Sequence, residues 1–172
     1  MAFRLGRGII SATIVPNDVQ GSLGCVRCTP IGGWFQPDAE VTRKVRNLVE
    51  TLVMVSLAGS ETQAEWLWAV PDAPADWREQ LVVGAAHDMR NVLDLALYVT
   101  GSDEEASAYI EWLRLRCQNQ MLSTFWPMVG ALADALHDRR TMSGAATRTI
   151  MKAAGRDWLI RGRRGRPGVS MS

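Results

Sequence analysis

The chain has no His-Glu-x-x-His and no Gly-x-x-x-x-Gly-Lys-Ser/Thr loop, so two common routes to hydrolytic chemistry are closed to these residues on their own. Cysteine is scarce: 3 residues, an odd number, do not make a disulfide framework, which fits a reducing compartment and a cytoplasmic location. No apolar run approaches the roughly 18 residues needed to span a bilayer, so no membrane partner is expected. The opening Met1-Ala2-Phe3-Arg4-Leu5-Gly6 lacks the long apolar region of a secretory signal. A net charge of +1 gives no overall pull toward nucleic acid, and none is expected as a partner. There are no internal repeats.

What is present reads as one globular domain of 172 residues, 47% hydrophobic and 22% charged. Met1–Leu5 followed by Gly6-Arg7-Gly8 reads as the end of a helix, and five residues cannot stand as a helix alone. That end without a beginning points to a longer helix before Met1. Ile9–Val15 alternates as a strand, and Leu23–Thr29 returns as a second, giving a small two-stranded ribbon. Helical spacing of Val41, Val45, Leu48, Leu52 and Val55 predicts a helix from Asp38 to about Leu57, interrupted at Gly59. A short Trp-rich helix (60–69) and a loop with Pro71 and Pro74 come next. Further helices are expected from about His87 to Thr100, from the Ser102-Asp103-Glu104-Glu105 capping box through Met121, from Pro127 to about Arg139, and from Ser143 to Ala154. The fold class is mainly α with one small β ribbon near the start. Residues 1–155 form the domain, and 156–172 a basic, disordered tail.

Several residue types could carry chemistry. Cys25-Val26-Arg27-Cys28 is a C-x-x-C without a second pair, so even with Cys117 it reads as ordinary thiols rather than a zinc site. The Arg-rich tail reads as a solvated end rather than a nucleic-acid contact. His137 falls near a helix C-terminus, where the dipole favours it. Asp88, in Gly84-Ala85-Ala86-His87-Asp88, sits at the expected helix start, where a capping aspartate contributes about 1 kcal/mol.

Three stretches, taken in order, give Asp88 a second meaning. They are Ala12-Thr13-Ile14-Val15-Pro16 with Gly21-Ser22-Leu23-Gly24, then Leu57-Ala58-Gly59 with Ala64-Glu65, then Gly84–Asp88 with Leu95-Ala96. Together they resemble the peptidase domain of the FtsH family of ATP-dependent zinc metalloproteases, in particular small bacterial relatives without the ATPase module. The likeness covers roughly residues 2 to 100. It implies a helical zinc metalloendopeptidase fold acting on polypeptides, with Asp88 as the third zinc ligand.

The chain departs from that pattern where the chemistry is concentrated. In the family, a His-Glu-Ala-Gly-His helix precedes the stretch matching Ala2–Gly6 and supplies two ligands and the general base. No catalytic residue can therefore be assigned here, and Asp88 alone carries a metal role. His87 is a poor substitute, because adjacent residues on a helix diverge in direction. Two readings follow. In one, Met1 is an internal methionine of a longer zinc endopeptidase. In the other, the chain is a non-catalytic helical scaffold or homo-oligomer subunit, using the Ala106–Met121 stripe and its 7 tryptophans as contacts. A separate ATPase partner fits the first reading.

Overall fold

The computed structural model describes residues 1–16, 24–37, 40–120 and 125–164, with side chains through 157. The elements run β1 (Ile9–Thr13), β2 (Cys25–Cys28), α1 (Arg43–Ala69), α2 (Trp77–Leu97), α3 (Asp103–Gln120), α4 (Trp126–Arg139), β3 (Thr141–Ser143) and α5 (Gly144–Arg164). The fold is mainly helical with one small antiparallel sheet, as the sequence predicts. No described helix is long and apolar enough to cross a membrane. The chain divides into two compact units, residues 1–7 with 30–123 and residues 8–29 with 124–172.

The first unit packs α1, α2 and α3 against one another. Thr42 caps α1, its hydroxyl accepting from the Val45 amide at 3.2 Å, which satisfies one of the free N–H groups of the first turn. The apolar face of α1 then buries Val49, Val53, Met54 and Leu57. α3 contributes Ala106, Leu113 and Cys117, all fully buried. The stripe that the scaffold reading assigns to subunit contacts is thus core as far as Cys117, while Met121 lies outside the described residues. Ser102 and Glu105 open α3: the hydroxyl accepts from the Glu105 amide, and the carboxylate accepts from the Gly101 amide at 2.7 Å. The box therefore closes one residue earlier than the usual reciprocal pair.

Gly59 does not interrupt α1, and Gly84 does not delay α2. A glycine in a helix costs about 1 kcal/mol relative to alanine. The flanking Leu57 and Ala58 are buried, and burial of that kind outweighs the cost. α2 starts ten residues before the expected His87, after the Pro74 turn, with the Gln80 amide donating to the Asp76 carbonyl at 3.1 Å. The expected start of α1 at Asp38 falls on residues outside the description; the helix begins at Arg43.

Residues 1–7 close as a helix end. The Arg7 amide donates to the Ala2 carbonyl at 2.9 Å and the Gly6 amide to the Phe3 carbonyl at 3.3 Å, with Gly6 at φ +76°. These are the two hydrogen bonds of a Schellman motif, with glycine in the left-handed position that side chains disfavour. Ala2 is buried, so the turn is docked rather than frayed.

In the second unit the sheet order is β2-β1-β3, antiparallel throughout. The ribbon thus has three strands where the sequence predicts two. β3 is only three residues long, too short for its alternation to register. It follows Arg140, whose positive φ of 63° turns the chain out of α4 and onto β1. Ala12, Leu136 and Met142 form its core, with Ile14, Leu132 and Ile150 packed around them. Ser143 then caps α5, accepting from the Ala146 amide. At Gly144 the chain passes so close to β1 that a Cβ would collide with the Ile9 carbonyl. α5 continues through Arg164, beyond the expected end at Ala154, so the first part of the basic tail is helical. Arginine is a good helix former, and no proline intervenes before Pro167. Residues 165–172 of the expected tail lie outside the described residues.

Candidate functional site

Asp88 is set in the middle of α2, not at its start, and it is exposed. The capping role expected for it is therefore corrected: eleven residues of helix precede it, and their carbonyls already satisfy the amides it would have capped. Its helical position is more informative. Leu81, Ala85, Asp88, Val92 and Ala96 recur at steps of four, three, four and four, which places them on one side of α2. Val92 and Ala96 are fully buried, and Leu81 and Ala85 half-buried. Asp88 is thus in line with the buried positions of α2 but is itself exposed. Its carboxylate makes no hydrogen bond or ion pair among the described residues.

His87 is exposed, one helical step of about 100° around from Asp88, so the two do not converge. Among the described residues no three His, Cys, Asp or Glu side chains come together as a metal site. Cys25 is exposed and Cys28 half-buried on β2. At about 3.3 Å per residue they lie near 10 Å apart along an extended strand, too far for a disulfide or one shared ion. Cys117 is enclosed in the helical core, its thiol donating to the Met54 carbonyl at 3.7 Å. Burial, and secondarily the nearby Glu61 charge, push that thiol up to about 11, which keeps it protonated and unreactive. His137 is exposed in the last turn of α4, where the dipole reading puts it.

The polar cluster that sequence reasoning missed is structural. Between α1 and α3, Arg116 meets Glu50 at 3.2 Å, and Arg114 reaches Glu61 at 3.6 Å while binding Glu111 at 2.7 Å. The Arg114 guanidinium holds the exposed Glu111 carboxyl below its usual range. Tyr109 stands beside this cluster. Burial and the adjacent Glu50 charge push its phenol up to about 12. Glu50 and Glu61 come from α1, and Glu111, Arg114 and Arg116 from α3, so only the packing of the two helices could bring the pairing between them into view.

Comparison with protein-family models, with curated proteins and with solved structures returned no match.

Proposed function

We propose that this chain carries an FtsH-type zinc metallopeptidase fold, located in the cytoplasm, in which Asp88 is one of three protein ligands to the metal. The observation that carries the proposal is the exposed, unpartnered Asp88 carboxylate in line with half-buried Ala85 and buried Val92 on α2. A carboxylate oxygen is an ordinary zinc ligand, and an uncommitted one in that position fits the use. The residues here supply only one ligand, whereas a catalytic zinc needs three. In this proposal the two histidines and the general base lie on the helix whose last turn is Met1–Leu5, and the docked Schellman motif supports that placement.

When bound, zinc supplies Lewis-acid polarisation of a scissile carbonyl and a water of lowered pKa. The contribution of this chain is to hold one ligand on a rigid helix, backed by Val92 and Ala96, and to keep it free of competing partners. The substrate would be a polypeptide, delivered by a separate ATPase.

The decisive test reads the gene. An in-frame His-Glu-x-x-His should occur within about a dozen codons upstream of Met1, a few helical turns away; its absence sinks the proposal. A chain extended by that segment should bind zinc in calorimetry, with Asp88→Asn weakening binding by at least about a hundredfold. The residues 1–172 alone should bind no zinc at micromolar concentration. Zinc binding indifferent to Asp88→Asn would remove Asp88 from the ligand set, and an extended chain that binds no zinc would favour the rival reading, a non-catalytic helical subunit.

A further inference from the structure

The net charge of +1 is the balance of two opposed units. Residues 8–29 and 124–172 hold ten of the 19 lysines and arginines and four of the 18 acids, a net charge of +6. Residues 1–7 and 30–123 hold the other nine and the other fourteen, a net −5. Within the basic unit α5 is one-sided: six cations and a single acid, Asp157. A merely solvated surface ordinarily mixes both signs. Thr147, Met151 and Gly155 form the buried side of α5, and Lys152 and Arg156 stand exposed beside it, one turn apart. Arg148 begins the same row but is committed, donating to the Ile9 carbonyl at 2.9 Å. Neither Lys152 nor Arg156 makes an ion pair among the described residues. The helix then continues through Arg161, Arg163 and Arg164. Its dipole accounts for cations in the last turn, but not for the pair in the middle.

We infer that α5 binds the phosphate backbone of double-stranded nucleic acid, without reading its sequence. From Lys152 to Arg164 the helix runs about 18 Å, a length over which a duplex presents about ten negative charges. Nine of the ten cations in the basic unit are arginine, whose planar fork matches a phosphate group in a way lysine does not. Single strands are held by basic grooves together with aromatic rings on which bases stack. The exposed rings (Trp34, Trp66, Trp68, Tyr98 and Trp112) all belong to the acidic unit, so among the described residues the basic unit offers none. A membrane surface is disfavoured for a similar reason. A helix lying in that surface inserts an apolar face, whereas Met151 is buried and Ile150 packs against Ala12, Leu136 and Met142 within the unit itself. The inference is independent of the metal role of Asp88, which lies in the other unit.

Fluorescence anisotropy of the full chain with labelled duplexes of about 20 base pairs, one DNA and one RNA, tests it. At about 50 mM salt the Kd should be micromolar, and affinity should fall about a hundredfold by about 200 mM, as about four phosphate contacts require. Binding to either duplex supports the inference, and the tighter one names the polymer. Lys152→Ala together with Arg156→Ala should weaken binding about tenfold and lower the salt slope by about 2, with helical circular dichroism unchanged. Arg90→Ala, at a cation of the acidic unit, should change neither. No binding at about 50 µM protein, or a double variant that binds like wild type, would overturn the inference. So would tighter binding to the matching single strand, or to phosphatidylcholine vesicles carrying about 30% phosphatidylserine.

Discussion

Gly144→Ala should destabilise the chain far more than an alanine at Gly59 or Gly84 inside the helices. The added Cβ would overlap the Ile9 carbonyl and crowd the Ile10 carbonyl, both backbone atoms of β1 that cannot rotate away. The sheet must therefore yield, and the Arg148 guanidinium, which donates to the Ile9 carbonyl at 2.9 Å, must follow or let go. Overpacking of this kind costs about 1–3 kcal/mol. A lost charge-assisted hydrogen bond adds about 1.5–3 kcal/mol. The expected loss is about 3–5 kcal/mol, or roughly 10 °C in Tm for a chain of this size. Gly59→Ala and Gly84→Ala are the controls, because a Cβ at either meets nothing within 4 Å. Each should raise stability by about 1 kcal/mol through helix propensity. Urea and thermal unfolding followed by circular dichroism measure all three. A Gly144→Ala loss below about 1 kcal/mol would refute the close approach of α5 to β1 and the reasoning built on it.

Two further outcomes concern the helical core. Leu113→Ala, at a side chain with no exposed surface, should cost about 3–5 kcal/mol in urea unfolding, since the surrounding helices can only partly close the cavity. Stability should also fall in alkali. Cys117 is raised from 9.0 to about 11 on folding and Tyr109 from 10.0 to about 12, so the folded state holds both protons longer than the unfolded state does. Their contribution is complete below pH 9 and is lost as pH rises from 9 toward 12. Cys117→Ala should flatten the lower part of that decline, while thiol titration at pH 8 should modify the exposed Cys25 and leave Cys117 untouched until unfolding.

Where the sequence was legible, one physical signal dominated. The apolar period of Val45 through Val55, the capping residues before Asp103 and the proline at 127 each mark an element that the chain forms. The illegible parts are those where tertiary contact overrides a local rule. Gly59 looks like a stop, but burial of the adjacent Leu57 and Ala58 carries α1 through it. β3 exists because Arg140 turns Thr141–Ser143 onto β1, a pairing across more than 120 residues with no local trace. α5 extends because its arginines favour helix, although their charge suggested a solvated tail. Cys25 and Cys28 lie on β2, the predicted second strand, and Cys117 lies in the predicted stripe of α3. Asp88 was singled out by the sequence, but its surroundings were misjudged, since a carboxylate within an apolar stripe breaks the period that would have revealed the first half of α2.

That break leads to a prediction that separates the two meanings of Asp88. As a helix cap, its replacement by alanine would cost about 1 kcal/mol. Its place in the middle of α2, without a partner among the described residues, reverses the sign: alanine is the better helix former, and Asp88→Ala should stabilise the chain by about 0.5 kcal/mol, or 1–2 °C in Tm. Thermal unfolding of the metal-free chain measures it. A loss of stability would return Asp88 to a structural role and remove the main support for a ligand there. A gain would mean that the residue lowers the stability of the fold that holds it. Residues of that kind, breaking the local pattern at a cost in stability, gather at functional sites, and the zinc-ligand proposal supplies the use that would offset the cost.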